Sequence, residues 1–310
     1  MKRIALIALL MAAPLNAQSA GKTGAQVLQF NAGTRAAALS GAYTSASSDA
    51  DALFYNPAGI VTRHAGASAA YETFANDVVF GSAAGFTRFG GVSIGASISY
   101  LDAGSIQEVI PDPDFSGNTG TATGKTFGAS ESAARISLAI PLRSQRLRIG
   151  ASAGFVSSSV AEVSQHAAMA DVGAQYDVAS MTLSAALRNF GGSMSGASAD
   201  PLPTEARIGA MLPFTNARGL GATLFADGIA RLQEGSLLLA TGVEAGLMPR
   251  SPADIGAVAR IGIDTEANQL ARIRFGAGFT LHGISVDYAY QSFNYLGSVH
   301  RIGIRWTARD

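Results

Sequence analysis

Apolar side chains recur at every second position over most of this chain, from about residue 65 to the C-terminal end. One clear example is the set Val92, Ile94, Ala96, Ile98 and Tyr100, because the positions between them hold only Gly and Ser. A period of two is the pattern of a β-strand, whose successive side chains point to opposite faces of the sheet. The alternation therefore predicts an all-β protein.

The alternating region divides into fourteen segments. The predicted strands are residues 65–73, 77–87, 90–101, 126–140, 146–158, 163–177, 180–190, 203–213, 217–230, 236–248, 253–263, 271–281, 283–291 and 295–307. Every second connection is brief, whereas the two longest, 102–125 and 191–202, belong to the other set. An even strand number with short turns at one end and longer loops at the other is typical of bacterial outer-membrane barrels. A barrel of twelve strands remains the alternative, if a weak hairpin such as 65–87 is misread.

The second face of the predicted strands favours a membrane barrel over a soluble β-sandwich or propeller. That face carries mainly Gly, Ser, Thr and Ala with occasional Arg, which suits a confined lumen better than a wet surface. Only 14% of the residues are charged and 48% are hydrophobic, whereas soluble domains have roughly 25% charged residues. We expect a transmembrane antiparallel β-barrel of about fourteen strands. Thin aromatic belts at the two interfaces would draw on Phe80, Phe86, Phe225 and Trp306, among others.

The first residues read as a secretory signal peptide. Lys2 and Arg3 precede an apolar run at 4–13, and a cut after Ala17 is expected, with Ala20 as the alternative. The run is too short for a membrane-spanning helix, which needs about 20 residues. Export to the bacterial outer membrane is therefore predicted, with outer-membrane lipids as the surroundings. The chain has no cysteine, which excludes a lipoprotein anchor, disulfides and thiolate metal sites. Its formal net charge of zero gives no basic field for nucleic acid.

Residues 18–62 do not alternate, and we expect them to form a small plug, or hatch, inside the barrel. A segment this short cannot bury a core of its own. The alternative, a disordered leader, would expose Leu39, Leu53, Phe54 and Tyr55. The expected organisation is a signal peptide at 1–17, the plug at 18–62 and the barrel at 63–310.

Two short helical turns are predicted within the plug, at 34–39 and 49–55, the second with Ser48 or Asp49 as its N-cap. The second turn must stop at Asn56, because a residue before proline disfavours helical geometry. The Asn56 amide can then fold back on the local backbone, and Gly59 supplies a permissive dihedral before the first strand.

The stretch ALSGAYTSASSDADALFYNPAGI, residues 38–60, resembles the N-terminal signature of the PorV/PorQ-type outer-membrane proteins, within the wider FadL-like barrel superfamily. The positions that carry the resemblance are Gly41, Ala42, Tyr43, Asp49, Asp51, Asn56, Pro57, Ala58 and Gly59. The resemblance implies fourteen strands, an N-terminal hatch and a part in protein secretion of type IX kind. Secreted proteins or secretion-complex subunits would then be partners. The alternative is a FadL-like transporter of hydrophobic small molecules such as fatty acids, although the chain is short for such a transporter.

Charged side chains fall on the predicted lumen face of several strands. They are Arg135, Arg148, Arg188, Arg207, Arg260, Arg272, Arg274, Arg301, Arg305 and Asp287, with Asp171, Asp227 and Glu244 as possible partners. Lipid-facing charges would cost about 2–4 kcal/mol at mid-membrane. We expect a paired set of charges that holds the plug. The alternative is that these residues line a path or bind a carboxylate.

Catalytic and metal-binding signatures are weak. The matches to Gly-x-Ser-x-Gly around Ser93 and Ser152 lie within predicted strands, whereas a nucleophile elbow needs a turn between a strand and a helix. The four histidines are not at metal-ligand spacing. No enzymatic activity, cofactor or metal is expected.

Three functions therefore compete: protein secretion, which the motif favours, transport of hydrophobic compounds, and a porin-like or purely structural role. Secretion predicts that loop residues such as Phe115 and Phe293 contact a protein partner. Transport predicts a continuous apolar pocket near Phe54 and Tyr55. A porin role predicts conductance once residues 33–60 are deleted.

Overall fold

The computed structural model describes residues 21–62, 64–74, 77–111, 120–142, 146–161, 163–196, 199–216, 219–248, 254–266, 273–292 and 297–308. The predicted signal peptide lies outside these residues and stays a prediction. The loop residues Phe115 and Phe293, and Arg272 of the predicted lumen charges, also lie outside the described residues.

The described chain forms a closed antiparallel barrel of fourteen strands, which confirms the predicted fold class and strand number. The strands are β1 (Gly66–Thr73), β2 (Val79–Phe89), β3 (Val92–Pro111), β4 (Gly120–Leu142), β5 (Leu147–Val160), β6 (Val163–Val178), β7 (Met181–Gly191), β8 (Glu205–Thr215), β9 (Leu220–Arg231), β10 (Ser236–Leu247), β11 (Ile255–Asp264), β12 (Ile273–Leu281), β13 (Ile284–Ser292) and β14 (Ser298–Thr307). Each strand pairs with its sequence neighbours, and β1 pairs with β14 to close the sheet. Closure gives every described strand a partner on both sides, as a strand structure in lipid requires. The β3–β4 hairpin beyond Asp102 and Ala129 extends past its neighbours.

Strand alternation sorts the side chains as the sequence pattern predicts. Large apolar residues stand on the outside, for example Ile136 at 66% and Phe155 at 69% exposed. Their neighbours on β4 and β5, Arg135 and Ser152, are buried on the inside. Three aromatics expected in the interface belts, Phe80, Phe86 and Phe225, are instead buried on the inside. That part of the prediction is wrong, because Phe80 packs on Phe30 and Phe225 on Tyr43 of the N-terminal segment, and Phe86 belongs to the same buried apolar cluster.

The β3–β4 hairpin is the main difference in strand bounds. The sequence predicts a loop at 102–125, but β3 continues to Pro111 and β4 begins at Gly120. The ladder crosses two register shifts, one between Asp102 and Ser105 and one between Gln107 and Val109. Bulges of this kind break the alternation by which a strand is recognised from sequence.

The two ends of the barrel differ in their connections. Residues 90–91, 179–180 and 282–283 make tight turns at what we call the short-turn end, where β1 begins and β14 ends. The connection 192–204 and the extended β3–β4 hairpin lie at the opposite, long-loop end.

Residues 21–62 run through the lumen between these ends. They contain one α-helical turn, α1 (Thr34–Ala38), and 3₁₀ turns at Gln26–Leu28, Ala50–Phe54 and Pro57–Ile60. The turn Gln26–Leu28 contacts β3 and β4, whereas α1 contacts β11 to β14 on another side of the lumen. No helix in the described part of the chain is long and apolar enough to cross a membrane.

Candidate functional site

The lumen, filled by residues 33–60, is the candidate site. All nine motif residues of the predicted plug are buried there: Gly41, Ala42, Tyr43, Asp49, Asp51, Asn56, Pro57, Ala58 and Gly59. Their burial follows from close contact with the inner wall. A Cβ atom at Gly173 of β6 would overlap the Asn56 side chain, and one at Gly150 of β5 would meet the backbone of Pro57 and Ala58. Glycine on the inner face therefore makes room for the N-terminal segment.

Asn56 joins the segment to the wall. Its side chain accepts a hydrogen bond from the Ala58 backbone N–H at 3.0 Å, the local capping that the sequence predicts. Its Nδ2 donates to the carbonyls of Thr44 and Ala174, at 3.0 and 3.2 Å. Gln175, which the sequence did not single out, donates to the Thr44 and Ala46 carbonyls at 3.2 and 2.9 Å. These bonds satisfy carbonyls that burial cuts off from water.

Six charged side chains form a closed ring that alternates in sign and joins the segment to four strands. The order is Asp49, Arg35, Glu244, Arg260, Asp287 and Arg305, returning to Asp49. The nitrogen–oxygen distances around the ring are 3.1, 2.7, 2.5, 2.7, 2.6 and 2.9 Å. Tyr43 also donates to Asp49, at 2.6 Å. Equal numbers of opposite charges leave the ring neutral, and each ion has two partners of opposite sign. Pairing with opposite charges in this way offsets the cost of removing a charge from water.

A second set of polar contacts holds residues 41–44. Arg207 donates from Nη2 to the Gly41 carbonyl at 2.5 Å and from Nε to Thr44 Oγ1 at 3.0 Å. Asp227 accepts from the backbone N–H groups of Tyr43 and Thr44, both at 3.0 Å. Arg207 and Asp227 are themselves 3.1 Å apart.

Asp51 differs from Asp49, the other acidic residue of the segment, because no arginine in the described residues pairs with it. Ser68 of β1 donates to its Oδ1 at 2.6 Å, and within the described part of the chain its buried Oδ2 has no hydrogen-bond partner. Burial and the neighbouring Asp49 charge raise the pKa of Asp51 to about 7. Burial also acts to raise the pKa of Asp49, but Arg305 and Arg35 outweigh it and hold that pKa at about 2. Asp51 is thus the acid of the segment that retains a proton in weakly acidic conditions.

The other predicted lumen charges are also paired on the inner wall. Arg135 pairs with Asp171 at 3.0 Å, Arg148 with Asp177 at 2.6 Å, Arg188 with Glu205 at 2.9 Å, Arg274 with Asp264 at 2.8 Å, and Arg301 with Glu72. Arg301 also donates to the Asn31 and Gly33 carbonyls. The sequence analysis did not identify Arg35, Glu72, Asp177, Glu205 or Asp264. Strand alternation alone could have placed Glu72, Glu205 and Asp264 inside, but Arg35 lies in a helical turn without a periodic face.

A cavity of about 500 Å³ lies above residues 33–60, toward the long-loop end. One part of its wall is apolar and is formed by Phe30, Phe74, Val78, Leu238 and Val299. The Phe30 ring lies 5.4 Å from that of Phe74 and 5.0 Å from that of Phe80, measured between centroids. The remaining wall carries charged side chains: Glu72, Arg188, Glu205, Arg207, Arg231, Asp264, Glu266, Arg274 and Arg301.

The expected apolar pocket beside Phe54 and Tyr55 is not where the cavity lies. Both rings are buried, at 4% and 1% exposed, and neither lines this cavity. Arg188 and Arg207 instead lie 5.3 and 5.4 Å from the Tyr55 ring centroid. The aromatic side of the cavity comes from Phe30 and Phe74, which no sequence motif marked.

Ser93 and Ser152 lie within β3 and β5, as their sequence context predicts. His166 approaches Ser195 at 3.2 Å, and His300 approaches Tyr288 at 2.7 Å. Ser195 is half-buried and the other three are exposed. Within the described ranges, no group of three or more His, Asp or Glu side chains is arranged to hold a metal ion.

Three solved structures resemble the barrel over most of its length. The toluene transporter TbuX of Ralstonia pickettii aligns with a TM-score of 0.60 at 14% identity, covering 91% of this chain and 100% of its own. The monoaromatic hydrocarbon channel CymD gives 0.60 at 11%, covering 90% and 98%. The toluene transporter TodX of P. putida gives 0.55 at 10%, covering 88% and 98%. The chain has the barrel fold of these transporters. At such low identity the likeness concerns the fold alone. No protein-family model and no curated protein matches the chain.

Proposed function

We propose that this chain is a bacterial outer-membrane barrel that admits hydrophobic small molecules, fatty acids among them, into a plugged lumen. The observation that carries the proposal is the cavity above residues 33–60, with its wall of Phe30, Phe74, Val78, Leu238 and Val299. A concave, partly apolar site with a few polar groups is the usual form of a small-molecule site. The fold shared with two toluene transporters and a monoaromatic hydrocarbon channel supports the same class of cargo.

The barrel supports a location in the outer membrane and an orientation within it. The apolar outer face suits lipid, and short turns lie on the periplasmic side in such barrels. The long-loop end, and with it the cavity, would then face the cell exterior. We assign the chain no catalytic role.

A second candidate is the PorV/PorQ-type role in secretion, which the compound motif at 38–60 favours. The structure gives several motif residues a structural task, because Asp49 belongs to the charge ring and Asn56 bonds to the β6 backbone. These tasks do not require a protein cargo, so the motif supports secretion only through the family resemblance.

The test is to extract the protein from its native outer membrane in mild detergent and identify by mass spectrometry what co-purifies. We expect an apolar ligand and no protein partner in stoichiometric amount. Stoichiometric secreted proteins or secretion subunits, without such a ligand, would overturn the proposal in favour of the second candidate.

A matched pair of variants locates the ligand. Val299→Trp fills the cavity, because Val299 is 2% exposed and lines it. Val286→Trp makes the same change on the lipid face, where Val286 is 54% exposed. Both variants must first migrate as folded barrels in unheated gels. We expect Val299→Trp to lose the ligand and Val286→Trp to retain it, and equal retention by both would place the ligand elsewhere.

A further inference from the structure

The N-terminal segment enters the lumen from the end opposite to the one where it joins the barrel. Its last turn, Pro57–Ile60, lies near the short-turn end, where a Cβ on Gly95 would contact Ile60 and one on Gly150 would meet Pro57. Gly95 and Gly150 are each a few residues from the start of their strands, β3 and β5, at that end.

The beginning of the segment lies against the connection 192–204 at the long-loop end. The Gly24 N–H donates to the Pro201 carbonyl at 3.1 Å. A Cβ on Gly24 would contact Met194 and Asp200 of the same connection. Nearby, the Val27 N–H donates to Glu131 Oε2 at 2.7 Å. Thr23 is buried, whereas Gly21 and Lys22 are exposed.

We infer that Lys22 lies on the outer surface of the cell, on the same side as the β3–β4 hairpin. The chain would thus pass from the outer mouth down through the lumen to the periplasmic end before the first strand begins. The assignment of this side to the cell exterior rests on the proposed location, but the placement of Lys22 relative to the hairpin does not.

The positions of the lysines and the absence of cysteine make the inference testable by cysteine labelling. The sequence holds only three lysines, Lys2, Lys22 and Lys125, and Lys2 belongs to the predicted signal peptide. Lys125 is exposed on the β3–β4 hairpin. The absence of cysteine means that single cysteine substitutions report on one position each.

The experiment compares Lys22→Cys with Lys125→Cys and Gly91→Cys in whole cells. Gly91 is exposed in the tight turn between β2 and β3, where an added Cβ has no atom within 4 Å. Each variant is treated with a membrane-impermeant maleimide, before and after the outer membrane is permeabilised. We expect Lys22→Cys and Lys125→Cys to react fully in intact cells, and Gly91→Cys to react only after permeabilisation.

Three other labelling patterns would contradict the inference. If Lys22→Cys reacts only when Gly91→Cys does, or reacts under neither condition while Lys125→Cys does, the inferred path is wrong. If Gly91→Cys alone reacts in intact cells, the barrel has the opposite orientation, and the inferred placement of Lys22 at the cell exterior is overturned. If none reacts before permeabilisation, the outer-membrane location fails, and so does the placement of Lys22 at the cell surface.

Discussion

Two stretches of the same segment occupy the lumen, and they are held there by different forces. Residues 33–60 contribute Arg35 and Asp49 to the six-membered charge ring and bond to the wall through Asn56. Residues 21–30 make no ion pair with the wall in the described structure; they are held by apolar burial and a few hydrogen bonds. We call them the inner stretch and the outer stretch.

The contrast matters because the two kinds of contact respond differently to damage. Removing one partner of a buried ion pair costs about 3–5 kcal/mol, since the other charge stays buried without compensation. A single hydrogen bond contributes only about 0.5–1.5 kcal/mol. The inner stretch is therefore expected to open rarely, and the outer stretch, which borders the cavity through Phe30, to open more often.

The largest effect should come from deletion of the inner stretch. Removing residues 33–60 takes away two ring members, Arg35 and Asp49, and leaves two acids and two arginines on the wall. We expect a folded barrel with steady conductance in planar bilayers, because a fourteen-stranded barrel without a plug has a polar lumen. Deletion of 21–30 should leave conductance near zero. An intact barrel that lacks 33–60 and still does not conduct would show that this stretch is not the seal.

The second largest effect is expected from a single substitution in the charge ring. Arg305→Met leaves Asp49 and Asp287 each with one arginine fewer, and we expect a loss of about 3–5 kcal/mol for the closed state. The measurement is the rate of tryptic cleavage after Arg35 in urea, since this bond is protected while the inner stretch stays in place. Arg148→Met is the control, because its partner Asp177 has a side chain 35% exposed. Equal acceleration of cleavage in both variants would mean that the ring holds the inner stretch no more strongly than the partly exposed Arg148–Asp177 pair does.

Sequence reasoning succeeded where the signal is local. Alternation predicted fourteen strands, which is the number that the structure has. The Asn56 cap followed from the residue types of Asn56-Pro57-Ala58. Each of these features depends on a few consecutive residues, which is the range over which propensity and periodicity are informative.

The partners in the lumen could not be predicted in the same way. Arg35 and Glu244 are 209 residues apart, and Asp49 and Arg305 are 256 apart. Alternation says that a side chain points inward but not which residue faces it across the lumen. The outer stretch was predicted to lie inside the barrel as part of the plug at 18–62, but its contacts were not predicted, because residues 21–30 carry one charge and no turn motif.

A smaller effect concerns pH. Asp51 faces Asp49 of its own segment, Ser68 of β1, Asp287 of β13 and Arg305 of β14. Its pKa rises from 3.8 to about 7 in the closed state. The closed state thus binds more protons than the open state within this window, and its stability falls as pH rises through it. Openings in planar bilayers should become more frequent from the acidic to the neutral end of the window. Asp51→Asn should remove most of that slope, and a variant that keeps it would assign the pH dependence to another group.

The smallest effect distinguishes the two stretches most directly. Glu131→Ala removes the acceptor of the Val27 N–H, which lies 2.7 Å from Oε2. A hydrogen bond to a charged acceptor contributes about 1.5–3 kcal/mol, so its loss corresponds to about a ten- to hundredfold increase in opening of the outer stretch. Maleimide reactivity of Val27→Cys measures that opening, and Leu53→Cys reports on the inner stretch, since both side chains are 1% exposed. We expect Glu131→Ala to accelerate labelling at position 27 and to leave position 53 unchanged. Equal acceleration at both positions would mean that the segment opens as one unit, because a contact confined to the outer stretch would then control the inner stretch as well.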